Sequence, residues 1–175
     1  AAAATLGHPF LLCNQIGGND DLLFDGRSLA AWPDGTLVQA PAWCIGVLLV
    51  DTDDPSAAKW LPWPDGSCCP ECTCVVEQVA AGADPLTPVT GIDLLAAITS
   101  GLGDYCRKSG IERIVLGMSG GVDSSVCAAI ACRAVGAENV LGLAMPSRYS
   151  SAHSLADAEA TAEALGIELQ EHSIK

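Results

Sequence analysis

Positive charge is what this 175-residue chain has least of: eight Lys and Arg stand against 21 Asp and Glu, a formal net charge of −13 at pH 7. Proteins that grip nucleic acid need cations to neutralise phosphates. The longest basic cluster here is Arg107-Lys108, so no nucleic-acid partner is expected. There is no run of about 18 apolar residues, so no membrane-spanning helix and no membrane partner are expected. The first residues, Ala-Ala-Ala-Ala-Thr, hold neither a Met nor a basic stretch, so no signal peptide is read there and a cytoplasmic setting is expected. The start, and the strand-like end at 170–175, both read as breaks within a longer polypeptide. Half the residues are hydrophobic, enough for one ordinary domain or two small ones.

Metal-ligand patterns are also sparse. The nine cysteines are an odd number. Cys13, Cys106, Cys127 and Cys132 fall in expected strands or helices, where a cysteine is a small apolar residue. In the run Cys68-Cys69-Pro70-Glu71-Cys72-Thr73-Cys74, the Cys69-x-x-Cys72 step is half of a zinc pattern without a second half. Zinc, a labile disulfide or a plain linker all remain open there. His8, His153 and His172 are scattered and expected to be ordinary surface or core residues. Arg27 is expected to order its loop.

Along residues 9–51 short strands alternate with turns: Pro9–Asn14 as a buried strand, 15–21 as a polar Gly-rich loop, Leu22–Phe24 as a strand and Asp25-Gly26 as a turn. Ser28–Trp32 and Thr36–Ala40 flank the hairpin turn Pro33-Asp34-Gly35, and Val47–Val50 is a further strand. No helix separates these strands, which predicts an antiparallel or sheet-edge region. Residues 52–88 carry six prolines and the cysteine run, and read as a linker or extended excursion. From Thr90 the period turns helical, with Ile92, Leu95, Ile98, Leu102 and Tyr105 as one apolar stripe ended by Gly110. Strand Ile114–Met118, helix Ser124–Val135, strand Val140–Ala144, a helix opened by Ser154-x-x-Asp157 and running to Leu165, and strand Ile167–Ile174 follow. Alternating strands and helices predict an α/β fold with a parallel sheet.

Between the first of these strands and its helix stands Ser119-Gly120-Gly121-Val122-Asp123-Ser124-Ser125. Glycines let the backbone approach a ligand closely, and a helix N-terminus adds partial positive charge. No lysine follows the glycines, so this is not the GxxxxGK[ST] phosphate loop. Three hydroxyls with backbone amides suit pyrophosphate oxygens, and the Asp123 carboxylate suits a phosphate-bound Mg²⁺. The bland alternative is a Gly-Gly turn with Asp123 or Ser124 as helix N-cap. Ligands of parallel sheets sit beyond the carboxyl ends of the strands. Both this loop and Met145-Pro146-Ser147-Arg148-Tyr149-Ser150-Ser151 occupy that position in sequence.

The loop resembles the SGGxDS loop of the ATP pyrophosphatases, which split ATP into AMP and pyrophosphate while adenylating a substrate. The 145–151 segment is similar to the MPSRYSS segment of NAD synthetases. Asn14–Ser28, reading NQIGGNDDLLFDGRS, resembles part of the nitrilase-like glutaminase domain that precedes the synthetase domain in glutamine-dependent NAD synthetases. The resemblance covers nearly the whole chain, with the cysteine-rich stretch as its main departure.

The resemblance implies a doubly wound parallel α/β sheet (adenine nucleotide α-hydrolase-like), preceded by the C-terminal strands of a nitrilase-like α/β sandwich. Residues 1–55 would end the glutaminase domain, 56–88 would be a Pro/Cys-rich linker, and 89–175 would begin the synthetase domain. It implies ATP and Mg²⁺ as cofactors, deamido-NAD and glutamine as substrates, and a homo-oligomer formed through the synthetase domain. Carried over by position, Gly117, Met118, Ser119, Gly120, Gly121, Val122, Asp123, Ser124, Ser125 and Arg148 are the expected ATP-binding residues, with Asp123 the metal ligand. For Arg148, a surface salt bridge is the competing reading. No cysteine matches the family's glutaminase nucleophile, which lies upstream of the NQxGGND segment. No catalytic residue is therefore expected within this chain, and the chain alone is expected to be inactive. Other ATP pyrophosphatases of the GMP synthetase or tRNA-thiolating type, and a metal- or redox-binding cysteine module, are the alternatives.

Overall fold

In the computed structural model the structure describes residues 2–19, 21–63, 77–79, 91–146 and 152–174. The chain divides into two compact units, Ala1–Ala97 and Ile98–Lys175.

The first unit is built from short antiparallel strands after a helical turn, α1 (Ala2–Leu6). Strands β1 (Phe10–Leu12), β2 (Ile16–Asn19), β3 (Leu22–Asp25), β4 (Leu29–Ala31), β5 (Leu37–Gln39), β6 (Gly46–Leu49), β7 (Lys59–Pro62) and β8 (Glu77–Val79) follow. They form a four-stranded sheet in the order β1-β4-β5-β8 and two hairpins, β2-β3 and β6-β7. The Pro33-Asp34-Gly35 turn closes as expected: Gly35 adopts φ +91, Thr36 N donates to Asp34 Oδ1 at 2.8 Å, and Trp32 N donates to Thr36 O at 2.9 Å. Ala30, Trp32 and Val38 make the core of this sheet, joined by Leu48, Val50 and Ala58. Trp32 keeps its polar edge satisfied through Nε1, which donates to Thr52 O at 2.8 Å.

Two expectations fail in this unit. The 15–21 stretch is not a plain loop, because Ile16–Asn19 pairs antiparallel with β3; Gly17, at φ +116, takes a conformation other residues avoid. Pro9–Asn14 is not buried: all three residues of β1 are exposed, since β1 is an edge that pairs with β4 alone. Within the 52–88 stretch, β7 pairs with β6 and β8 with β5. Pro62 ends β7 without preventing its pairing with β6. The cysteine run 68–74 lies outside the described residues.

Helix α2 (Gly91–Ser109) leads into the second unit and stops where Gly110 turns to φ +68. Its inward residues include Leu102, which packs on the core, and buried Cys106, whereas Ile98 and Tyr105 of the expected stripe are exposed. The buried line is thus rotated from the one the apolar residues alone mark, because a cysteine is short enough to lie under a packed helix. Then come β9 (Ile114–Gly117), α3 (Val122–Val135), β10 (Val140–Ala144), α4 (Ala152–Leu165) and β11 (Glu168–Glu171). The strands form a parallel sheet in the order β11-β10-β9, with Val140 opposite Ile114 and Leu141 opposite Glu168.

This is the expected α/β architecture with a parallel sheet. Helices α3 and α4 pack on each other and on the sheet through small residues: Ala128, Ala131, Ala158 and Ala162 are buried with Met118, Val140 and Ile167. Alanine at these positions lets helix and sheet backbones approach closely, and adding methylenes there would force strain. Ile114–Met118 is half rather than fully buried. Its side chains alternate, and Val115 on the other face is 58 % exposed. Both helices begin two residues before the expected positions, so neither Ser124 nor Asp123 is an N-cap; that place belongs to Gly121.

Candidate functional site

The site lies at the carboxyl edge of the parallel sheet. Strand β9 ends at Gly117, the chain passes through Met118 and Ser119, turns at Gly120 with φ +77, and enters α3 through the extended Gly121. No side chain caps the first turn of α3. The leading N–H groups of that helix are therefore available to an anion, where the helix dipole favours negative charge.

The three serines fold into the loop itself. Ser119 Oγ and Ser124 Oγ are 3.1 Å apart, and Gly121 N donates to Ser119 Oγ at 3.3 Å. The Ser124 and Ser125 hydroxyls both donate to Gly121 O, at 2.9 and 3.1 Å. Gly121 O also accepts Ser125 N at 3.2 Å. Three donors crowd a carbonyl with two lone pairs, so at least one hydroxyl can turn to a ligand without orphaning the oxygen.

Beside the loop opens a cavity of about 290 Å³ lined by Met118, Ser119, Ala144, Met145, Pro146, Ser154 and Leu155. The segment after β10 and the first turn of α4 thus join the loop after β9 at one sheet edge, as the motif order predicts for Met145 and Pro146. Met118 is buried and fits because β10 carries Gly142; a Cβ there would come within 2.9 Å of Met118 Cγ. Ser154 and Leu155 were not among the expected site residues. A serine read as a helix-opening signal gave no hint that it would line a cavity.

Of the expected site residues, Gly117 to Ser125 form one continuous strand-loop-helix element. Val122 and Asp123 sit exposed in the first turn of α3, apart from the cavity lining. Arg148 lies outside the described residues, as do Ser147 and 149–151. Asp123 makes no ion pair among the described residues. One free carboxylate beside an uncapped helix N-terminus is a donor set that fits Mg²⁺, which takes one or two protein carboxylates and completes its shell with other oxygens and water. No cluster of three or more acidic, His or Cys residues suited to a metal occurs among the described residues. His8, His153 and His172 are all exposed. No helix among the described residues is long and apolar enough to cross a membrane.

In the first unit, Arg27 does order its turn. It adopts φ +46 and places Nε 3.0 Å from Asp25 Oδ2 and Nη2 3.0 Å from Asp93 Oδ1. The Asp93 contact is an aligned hydrogen bond, whereas Nε is not aligned with Asp25.

Comparison with known proteins agrees with this layout. The NAD synthase family model matches residues 94–175. A glutamine-dependent NAD(+) synthetase of Rhodobacter capsulatus is 42% identical over 171 residues, covering 97% of this chain and 28% of that protein. An NH(3)-dependent NAD(+) synthetase of Chlorobium phaeovibrioides is 49% identical over 77 residues, 44% of this chain and 28% of that protein. The structure of the glutamine-dependent NAD+ synthetase from Acinetobacter baumannii, in complex with ADP, matches with a TM-score of 0.69 at 28% identity over 99% of this chain and 29% of that one. The chain spans under a third of the length of these curated relatives. With the NAD synthase match over the parallel-sheet unit and glutamine-dependent relatives aligned along nearly the whole chain, this sequence is similar to glutamine-dependent NAD synthetases throughout its length.

Proposed function

We propose that the 119–125 loop and the adjoining cavity hold the phosphates of ATP, and that the polypeptide containing this chain amidates deamido-NAD to NAD. The observation that carries this reading is the meeting of an uncapped helix N-terminus, three loop hydroxyls and a cavity at one edge of a parallel sheet. In the reaction the nicotinate carboxylate displaces pyrophosphate from ATP, leaving AMP on the carboxylate. Ammonia then attacks the carboxyl carbon and AMP departs. A carboxylate is a poor electrophile until its oxygen carries a good leaving group.

The chain's own residues act on the departing pyrophosphate. The N–H groups of Val122 to Ser124 and the hydroxyls of Ser119 and Ser124 donate to its oxygens as charge builds there, with Ser125 bracing the loop. Asp123, with waters, would hold Mg²⁺, which neutralises phosphate charge. Met118, Met145 and Pro146 provide apolar wall, and Arg148 enters this reading on the resemblance of the 145–151 segment alone. Glutamine as nitrogen source is favoured because the match to glutamine-dependent relatives runs through the first unit as well. In this reading residues 1–55 end a nitrilase-like glutaminase domain, 56–88 connect it, and 89–175 open a synthetase domain that pairs with a second copy in a soluble, cytoplasmic enzyme.

The test is incubation of the complete polypeptide with ATP, magnesium, glutamine and deamido-NAD. NAD and AMP are the expected products, and ADP in place of AMP would overturn the reading. The 175-residue chain alone binds magnesium pyrophosphate but makes no NAD, because it holds less than a third of what its relatives use.

A further inference from the structure

Ser125 Oγ lies 3.3 Å from Thr161 Oγ1 on α4, and Thr161 Oγ1 donates to Asp157 O at 2.8 Å. With its proton on Asp157, the Thr161 oxygen keeps acceptor capacity for the Ser125 hydroxyl. Thr161 lies seven residues, or about two turns, beyond Ser154, on the same side of α4. Ser154 lines the cavity and packs against Gly120. Helix α4 is therefore anchored to the loop element twice, by close backbone contact at its start and by a hydroxyl pair two turns further on. Ala158, between these anchors, is fully buried.

We propose that Thr161 is a positioning residue for the phosphate loop. It gives the Ser125 hydroxyl a partner other than the crowded Gly121 carbonyl, and so leaves that carbonyl to Ser125 N–H and Ser124 while holding the α4 wall of the cavity in register. The ligand whose affinity it sets is a pyrophosphate-bearing molecule, so this inference rests on the nucleotide reading above. A threonine here has no place in a packing pattern otherwise made of Ala158, Ala162 and Leu165, and its hydroxyl is the feature the geometry uses.

The experiment titrates the 175-residue chain, and its Thr161→Val, Thr161→Ser, Ser125→Ala and Thr161→Val/Ser125→Ala variants, with magnesium pyrophosphate by calorimetry, alongside thermal denaturation of each. Thr161→Val keeps the shape and removes the hydroxyl. It is expected to weaken binding about three- to tenfold, the value of one hydrogen bond, with the melting temperature held within about 3 °C. Thr161→Ser is expected to bind within about twofold of the parent, and the double variant to bind no worse than Ser125→Ala, since both changes remove one interaction. Parent binding with an unchanged Thr161→Val overturns the positioning role and leaves the nucleotide reading standing. Failure of Thr161→Ser to restore affinity also overturns it. Absence of pyrophosphate binding by the parent overturns the nucleotide reading and this inference with it.

Discussion

Gly120 and Ser154 meet backbone to backbone: a Cβ on Gly120 would overlap the Ser154 carbonyl oxygen and come within 3.0 Å of its Cα. The loop that leads into α3 and the first turn of α4 line the same cavity, and they approach this closely because this one residue has no side chain. Gly120 is also at φ +77, so its identity is required twice over, by space and by backbone conformation.

Gly120→Ala is therefore expected to destabilise the second unit by about 2–4 kcal/mol, the sum of left-handed strain and a backbone displacement. Gly121→Ala, at an ordinary negative φ and with only Ser119 Oγ at 3.3 Å, is expected to cost under about 1 kcal/mol. Urea denaturation of both variants checks the contrast. Equal midpoints would mean that the Gly120 contact does not hold α4 in place.

Asp123→Asn retains the fold, because the side chain is exposed and makes no ion pair among the described residues. In the complete polypeptide it is expected to lower NAD formation by about two orders of magnitude or more while glutamine hydrolysis persists, as removal of a metal-binding carboxylate predicts. Steady-state rates of both half-reactions, with magnesium varied, are the measurement. A silent substitution would remove Asp123 from the metal role.

The four cysteines that are free among the described residues should separate by reactivity. Cys13 and Cys127 are exposed, Cys106 is buried, and burial raises the Cys132 thiol above its usual value. Since the thiolate is the nucleophile, iodoacetamide at about pH 8 is expected to label Cys13 and Cys127 well before Cys132 and Cys106. Peptide mapping over time reads the order.

Asp34 links the 33–35 turn to pH. Hydrogen bonds from Thr36, through its backbone N–H first and its hydroxyl second, hold the Asp34 carboxyl below its ordinary 3.8. A depressed folded value adds stability above the unfolded value and loses it as pH falls through the folded one. Asp34→Ala is thus expected to lower the denaturation midpoint at neutral pH, with the two proteins converging in acid. A midpoint difference that persists unchanged into acid would exclude the carboxylate as its source.

Local chemistry made much of the second unit legible. The Gly-Gly loop flanked by a β-branched run and a small-residue helix marks a strand-loop-helix element, and Gly110 and Gly166 stop helices at positive φ. The hairpin at 33–35 follows equally from Pro, Asp and Gly in succession. Each of these depends on residues near in sequence, whose backbone preferences act whatever surrounds them.

What the sequence determined by itself is the order of elements in the second unit, its parallel α/β class and the loop that carries the serines and Asp123. Which side chains the fold would bury was decided by tertiary structure. Val115 belongs to an apolar run yet faces outward because α3 covers the other side of β9, and the buried line of α2 passes through Cys106 rather than Tyr105. The same holds for pairings between distant residues. Ile16–Asn19 becomes a strand because β3 lies beside it, and Thr161 reaches Ser125 across 36 residues because α4 docks on the loop through Gly120. Local propensity is a property of a few adjacent residues, whereas burial and long-range hydrogen bonds are properties of surfaces that exist once the chain has folded.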